Sequence, residues 1–192
     1  MRSKVPEVII TYGIPGSGKS NVLFKLAYYA KICRSNITLL SANKSTIAQD
    51  KVCERFCNLA NIILESKSEK KLFEYNYKPG QTYYIDIGSN FREQKKVYDN
   101  FCSDAFDFYP IFIIPAYMDF EVVKKILDQY HFFNAFNIIL TFCDFVSEER
   151  IESFKYFISN HKGKLIGINK SWNLNRGLEL MDKNLDCHFM TV

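Results

Sequence analysis

The segment EVIITYGIPGSGKSNVLFKLAYYAKIC, residues 7 to 33, constrains the fold more than any other part of the chain. It opens on a short β-branched run that reads as a buried strand. It closes on a stretch with Val22, Leu23, Leu26, Ala27 and Ala30 at helical spacing, an apolar stripe for packing on a sheet. A strand that turns into a helix through a tight glycine loop is the first half of a βαβ unit, and such a unit needs a parallel neighbour.

The rest of the chain repeats the alternation. NITLLSAN, TYYIDIG, YPIFIIPAY, NIILTFCDF and KLIGIN read as five further strands. Between them, STIAQDKVCERFCNLANIILES predicts one long helix, capped by Ser45, with Ile47, Val52, Phe56, Leu59 and Ile63 inward. REQKKVYDNFCSDAF, FEVVKKILDQYH and SEERIESFKYFISN predict three more helices, the last capped by Ser147 with Glu148 and Glu149 in its first turn. KSEKKLFEYNYKPGQ reads as an irregular, exposed excursion closed by a Pro79-Gly80 turn. The tail SWNLNRGLELMDKNLDCHF reads as a closing helix, with Trp172 capping the last strand against it. Six strand–helix units with near-continuous apolar strands imply an α/β fold. The expectation is a three-layer α/β/α sandwich with a mainly parallel sheet and right-handed crossovers. At 192 residues and 47% hydrophobic content, residues 1–192 are expected to form a single domain with a real core.

Charge is a weak guide, since a net +4 suits mild nucleic-acid contact and many cytosolic enzymes alike. The six cysteines (Cys33, Cys53, Cys57, Cys102, Cys143, Cys187) include no Cys-x-x-Cys pair and read as reduced thiols. His131, His161 and His188 supply no matching pair, so a zinc site is rejected. The amino-terminal apolar run is too short for a signal peptide, and YPIFIIPAYMDF is too short and proline-broken for a membrane span. A soluble, cytoplasmic protein is expected.

In GIPGSGKS, Gly13, Gly16 and Gly18 permit backbone angles that other residues resist. Successive N–H groups of Gly13, Ile14, Gly16, Ser17, Gly18, Lys19 and Ser20 can then converge on one anion, and the following helix adds the positive end of its dipole. Pro15 carries no N–H and cannot donate. Lys19 can reach β- and γ-phosphates, and the Ser20 hydroxyl can ligate magnesium. The pattern Gly-x-x-x-x-Gly-Lys-Ser, set between strand and helix, resembles the Walker A motif of P-loop NTPases.

A triphosphate site also needs a carboxylate at the end of another buried strand, to fix magnesium. Asp86, after TYYI, is the first candidate and Asp144 the runner-up. Lys19 and Asp86 are thus the candidate catalytic pair, and Ser20 and Asp86 the candidate metal pair. Gly88 can offer an N–H to a γ-phosphate, joined by Ser89 or Asn90 in a small, mobile loop. Ile87 stands where many motor ATPases carry a glutamate that polarises water, so hydrolysis is expected to be slow.

The order of elements resembles the ParA/MinD-type branch of P-loop ATPases, especially small proteins of plasmid stability and mobilisation. That resemblance implies an ATP- and Mg2+-dependent switch that dimerises around nucleotide and binds DNA or an adaptor protein. Ile14 and Pro15 stand where that branch has its hallmark lysine and glycine, so its trans-acting lysine is absent. TFCD (Thr141 to Asp144) echoes the base-reading motif of GTPases, with Phe142 in place of a lysine. ATP is the expected nucleotide and GTP the alternative, with Asp144, Asn169 and Lys170 near the base. Lys67, Lys70, Lys71, Lys95, Lys96, Lys124, Lys125, Lys162 and Lys164 are candidate DNA contacts, or else solvated faces. A small P-loop kinase is a second reading, with Arg150 as its one lid candidate among six arginines. A non-hydrolysing scaffold is a third. Lys19 is expected to face solvent in the empty loop, and aromatic clusters such as YHFFNAF to be core rather than base-stacking.

Overall fold

The computed structural model describes residues 5–33, 36–42, 47–103, 105–171, 173 and 176–181. Its elements are β1 (Glu7–Tyr12), α1 (Lys19–Cys33), β2 (Ile37–Ser41), α2 (Ile47–Ala60), β3 (Ile63–Ser66), α3 (Glu69–Phe73) and β4 (Thr82–Asp86). They continue as α4 (Phe91–Phe101), β5 (Asp107–Pro115), α5 (Phe120–Gln129), β6 (Phe136–Thr141), α6 (Glu148–Ser159), β7 (Gly163–Asn169) and β8 (Leu178–Leu180). The strands form one sheet in the order β3-β2-β4-β1-β5-β6-β7-β8. Every pairing is parallel except β7 with β8.

Side-chain alternation along the strands builds a core on each face. Val8, Ile10, Tyr12, Tyr83, Ile85, Phe112, Ile114, Ile138 and Leu140 meet α4, α5 and α6 on one side. Ile9, Leu39, Tyr84, Ile111, Ile113 and Ile139 meet α1 and α2 on the other. The α/β/α layering is therefore as the strand patterns imply. All five apolar positions expected to face inward on α1 are fully buried.

The sheet has eight strands where six were expected, and both additions have a local cause. The long second helix stops at Ala60 because Asn61 takes a left-handed φ of 52°. Ile62 N–H then bonds Cys57 O at 2.9 Å, and Asn61 N–H bonds Asn58 O at 3.3 Å, the closing pattern of a helix C-terminus. Asparagine does here what glycine usually does, so the stop signal was hidden. ILES becomes an edge strand beside β2. Leu59 and Ile63, expected inward, are 90% and 60% exposed, while Ile62 is buried. Ser45 lies outside the described residues, as do the side chains of Ile47 and Val52.

The tail differs too. Gly177, at φ +83°, lies so close to Ser171 that a Cβ would fall 2.5 Å from the Ser171 Cβ. This reversal lays Leu178–Leu180 antiparallel on β7, where a helix was expected. Trp172 and the tail beyond Met181 lie outside the described residues. The excursion from 67 to 81 is less loose than its charge suggests. Leu72 is fully buried. Tyr75, Tyr77 and Tyr83 meet edge to face at 4.9–5.7 Å, and Tyr77 reaches Phe101 and Phe106.

Candidate functional site

Strand β1 lies between β4 and β5, so the glycine loop emerges at the carboxyl edge of the sheet beside the ends of both. In open α/β sheets, ligands bind in the crevice outside those ends, where the strand order reverses. Gly13 has φ 139°, and a Cβ there would sit 2.7 Å from the Ile113 carbonyl oxygen. Gly18 has φ 88°, and its Cβ would press on Thr141 at 3.3 Å. Thr141 also donates its hydroxyl to Ser17 O at 2.7 Å. The loop is therefore shaped by its neighbours on β5 and β6 as well as by its own glycines. Ser17 N–H is turned to Ile14 O at 3.3 Å, and Ser17 Oγ is buried with no hydrogen-bond partner among the described residues.

Lys19 does not face solvent. It is 6% exposed, and its Nζ donates to Ile14 O and Ser89 Oγ, each at 2.7 Å. The expectation failed because the glycine loop and Ser89 supply acceptors that draw the ammonium inward. Burial pulls the Lys19 pKa down to about 8, partly opposed by the nearby Asp86 carboxylate. Ser20 Oγ donates to Asp86, 2.9 Å from Oδ1 and 3.0 Å from Oδ2. Sequence spacing alone could not bring residues 66 positions apart together; the parallel pairing of β1 with β4 does. A hydroxyl and a buried carboxylate converging beside an ammonium form a donor set suited to Mg2+ and a polyphosphate.

The loop after Asp86 is partly spent. Asn90 is the N-cap of α4 and accepts from the N–H groups of Arg92 and Glu93, which takes it out of the candidate phosphate contacts. Ile87 is a core residue, 4% exposed, so it offers no group to an attacking water. Gly88 and Ser89 remain beside Lys19 and the glycine loop.

Gln94 was missed by the sequence reading. Its side chain is fully buried between the two loops. Oε1 accepts from Gly13 N–H at 3.2 Å and from the Tyr130 hydroxyl at 2.9 Å. Nε2 donates to Gly13 O and to Gly88 O, both at 2.9 Å. A signal was present: with Val97, Tyr98 and Phe101 it falls on the inward stripe of α4, and an amide there needs partners.

At the other end of the crevice, a shallow recess open to solvent is lined by Gly18, Asn21, Thr141, Phe142, Asp144, Asn169 and Ser171. Phe142 begins a short 3-10 turn (Cys143–Phe145) in the left-handed region, φ 57° and ψ 33°. That conformation is strained for a bulky residue, and such strain collects at functional sites. Asn169 gives its amide to the scaffold: Oδ1 accepts from Lys25 Nζ at 2.6 Å and Nδ2 donates to Asn21 Oδ1 at 3.2 Å. Lys25, fully buried on α1, also donates to Arg176 O at 2.8 Å and to Ser171 O. Burial brings its pKa down to about 8, with Asp144 opposing. Lys25 sits within the apolar stripe of α1, which is why sequence reading passed it over. Lys170 turns to Glu179 at 3.2 Å.

Other candidates fall away from the crevice's chemistry. Arg150 donates to Ala116 O and Met118 O and stacks over Phe120 at 4.0 Å, so it braces α6 against the β5–α5 connection rather than forming a lid. Lys95 pairs with Asp99 and Lys67 with Glu65. Lys162 and Lys164 lie at the amino end of β7, opposite the glycine loop. Among the described residues no three histidine, cysteine or carboxylate side chains cluster closely enough to hold a metal by themselves, and no helix is long and apolar enough to cross a membrane.

No family model matches the sequence, and no curated protein matches it. Solved structures do. FlhF complexed with GMPPNP and Mg2+ superposes with a TM-score of 0.70 at 17% identity, covering 95% of this chain and 71% of FlhF. The signal recognition particle receptor FtsY from Elizabethkingia anophelis, in complex with GDP, gives 0.73 at 14% identity, covering 100% of this chain and 66% of FtsY. The 54 kDa signal recognition particle protein of Aeropyrum pernix K1, also with GDP, gives 0.68 at 16%, with 97% of this chain and 46% of that one. These likenesses give no support to the ParA/MinD-type branch. With the mainly parallel sheet and the glycine loop at its carboxyl edge, they show that the chain has the P-loop NTPase fold.

Proposed function

We propose that this chain is a Mg2+-dependent nucleotide switch that binds a guanine nucleoside triphosphate and hydrolyses it slowly. The observation that carries the reading is the convergence of Lys19, Ser20 and Asp86 beneath the glycine loop. The loop amides and Lys19 would hold the β- and γ-phosphates. Ser20 and Asp86 would hold Mg2+, which on binding neutralises phosphate charge. Asp86 is flanked by a buried isoleucine with no acid–base chemistry, which favours slow turnover in the isolated chain.

The base is where the site modifies the expectation of ATP. Asp144 lines the recess and, as a carboxylate, only accepts hydrogen bonds. Guanine offers it two N–H donors, whereas adenine presents an acceptor at the corresponding ring nitrogen. The solved structures that this chain resembles carry GMPPNP or GDP, which points the same way. A phosphotransferase reading loses its one lid candidate, since Arg150 is engaged elsewhere. A role in DNA segregation, partition or mobilisation, with DNA, an adaptor or a second copy as partner, rests on the order of elements alone.

Titration of fluorescent GTP and ATP analogues with Mg2+ and with chelator tests the reading. The expected result is Mg2+-dependent binding with guanine at least about tenfold preferred, a difference of about 1.4 kcal/mol. Equal affinities would remove the guanine preference, tighter binding of ATP would return the reading to ATP, and no binding of either would end it.

A further inference from the structure

Gln94 uses all four of its hydrogen-bonding positions inside the protein, and three of them fall on backbone atoms of the two loops that flank the phosphate crevice. It pairs with both the N–H and the carbonyl of Gly13, as a neighbouring strand would. The same amide nitrogen takes Gly88 O, which fixes the peptide leading into Ser89. Ser89 Oγ in turn holds the Lys19 ammonium. Behind Gln94, the Tyr130 hydroxyl donates to Oε1 from the end of α5, and Tyr130 is buried against Phe91 and Phe112. Only one orientation of the amide satisfies this set, because two of its neighbours are carbonyls and the other two are donors.

We propose that Gln94 is a positioning residue that sets the γ-phosphate-sensing loop, Gly88–Ser89, against the first glycine of the phosphate loop, and so governs discrimination between nucleoside tri- and diphosphates. This rests on the nucleotide reading above. The physical reason is pre-organisation. A loop already pinned beside the third phosphate's position loses little freedom on contacting it, while an unpinned loop must be ordered at that moment. A diphosphate does not reach the pinned loop and gains nothing from it. Gln94 touches neither phosphate nor metal, and acts only through Gly13 and Gly88.

The test compares affinities for Mg2+ with fluorescent GDP and with a non-hydrolysable fluorescent GTP analogue in the wild type, Gln94→Met and Gln94→Glu. Met keeps the length without the bonds, and Glu sets a carboxylate oxygen against the Gly13 and Gly88 carbonyls. The expected outcome is a triphosphate affinity at least tenfold weaker with the diphosphate affinity within about threefold of the wild type. A parallel loss of both would make Gln94 a support of the phosphate loop alone and overturn the proposal, as would no change in either. If both variants fail to fold, Tyr130→Phe keeps the amide and removes one of its supports. It should lower the triphosphate-to-diphosphate preference about two- to threefold, and an unaltered preference would overturn the idea. Absence of binding by the wild type would instead bring down the nucleotide reading, and this inference with it.

Discussion

The two ends of the crevice are built by opposite means. The proposed phosphate end is made by consecutive residues, Gly13 to Ser20, completed by one carboxylate from β4. The proposed base end is assembled from scattered side chains: Lys25 and Asn21 from α1, Thr141 at the end of β6 and Asp144 beyond it, and Asn169 at the end of β7 and Ser171 beyond it. A polyphosphate is recognised by charge and N–H groups that any residue but proline can supply, so glycine spacing suffices. A base is recognised by the direction of a few donors and acceptors, which demands fixed side chains. The two ends should therefore respond independently to substitution.

The largest effect is expected at the phosphate end. Lys19→Ala removes an ammonium that now bonds Ile14 O and Ser89 Oγ and would serve two phosphates. Triphosphate affinity should fall at least about a hundredfold, ~2.7 kcal/mol. The melting temperature should move little, because both freed acceptors lie beside the open crevice. The GDP-to-ADP preference of any residual binding should be unchanged. A retained affinity would show that the loop is not the phosphate site.

Asp86→Asn comes next. The amide keeps the shape and one acceptor for Ser20 but loses the charge that Mg2+ needs. Affinity with Mg2+ should drop about tenfold, while affinity in chelator stays as in the wild type. An equal drop in both conditions would make Asp86 a structural partner of Ser20 only.

The base end is probed by Lys25→Met. The substitution is close in volume but strands the Asn169 Oδ1, Ser171 O and Arg176 O acceptors, at roughly 1–3 kcal/mol for each that stays buried and unpaired. Thermal unfolding should shift down by several degrees. GDP should lose about tenfold and ADP much less, with the triphosphate-to-diphosphate ratio unaltered. Gln94 variants should do the reverse, changing that ratio and leaving base preference alone. A change in both ratios for either residue would dissolve the distinction between the ends.

The same division explains what could be read from residues alone. The parallel core, and the placing of the glycine loop after β1 and of Asp86 at the end of β4, were legible because each follows from short-range pattern: apolar runs, glycine spacing, a carboxylate closing a strand. Asp144 was legible as a strand-end acid. Lys25 and Gln94 were not, since each is a polar residue inside an apolar helical stripe; the partners of Lys25 lie 144 to 151 positions away, and Gln94 reaches back 81 positions to Gly13. Asn169 was found, but its role was not, because only the fold reveals that its amide is spent on Lys25 and Asn21. Strand β3 was lost to an asparagine doing the work of a helix-stopping glycine.

The smallest effect, and the sharpest for separating the ends, is in pH. Lys25 makes three hydrogen bonds, and only the charged ammonium carries three N–H groups. Burial draws its pKa from about 10.5 to about 8, against the pull of Asp144. As pH rises through 8 the proton leaves and one of the three acceptors loses its donor, so the loop carrying Asn169 and Ser171 loosens. In the unfolded chain the same lysine stays protonated until about 10.5. Between the two values the unfolded state binds more protons, so this group's contribution to stability rises with pH. Base preference and stability should therefore move in opposite directions. From pH 7 to 8.8 the GDP-to-ADP preference should fall about two- to threefold while the melting temperature holds or rises. Burial also lowers the Lys19 pKa to about 8, but in the proposed site Lys19 would meet the phosphates of both nucleotides alike and so cancel from the ratio. In Lys25→Met the ratio should be flat with pH; a slope that persists there would assign the titration to another group and remove Lys25 from base recognition.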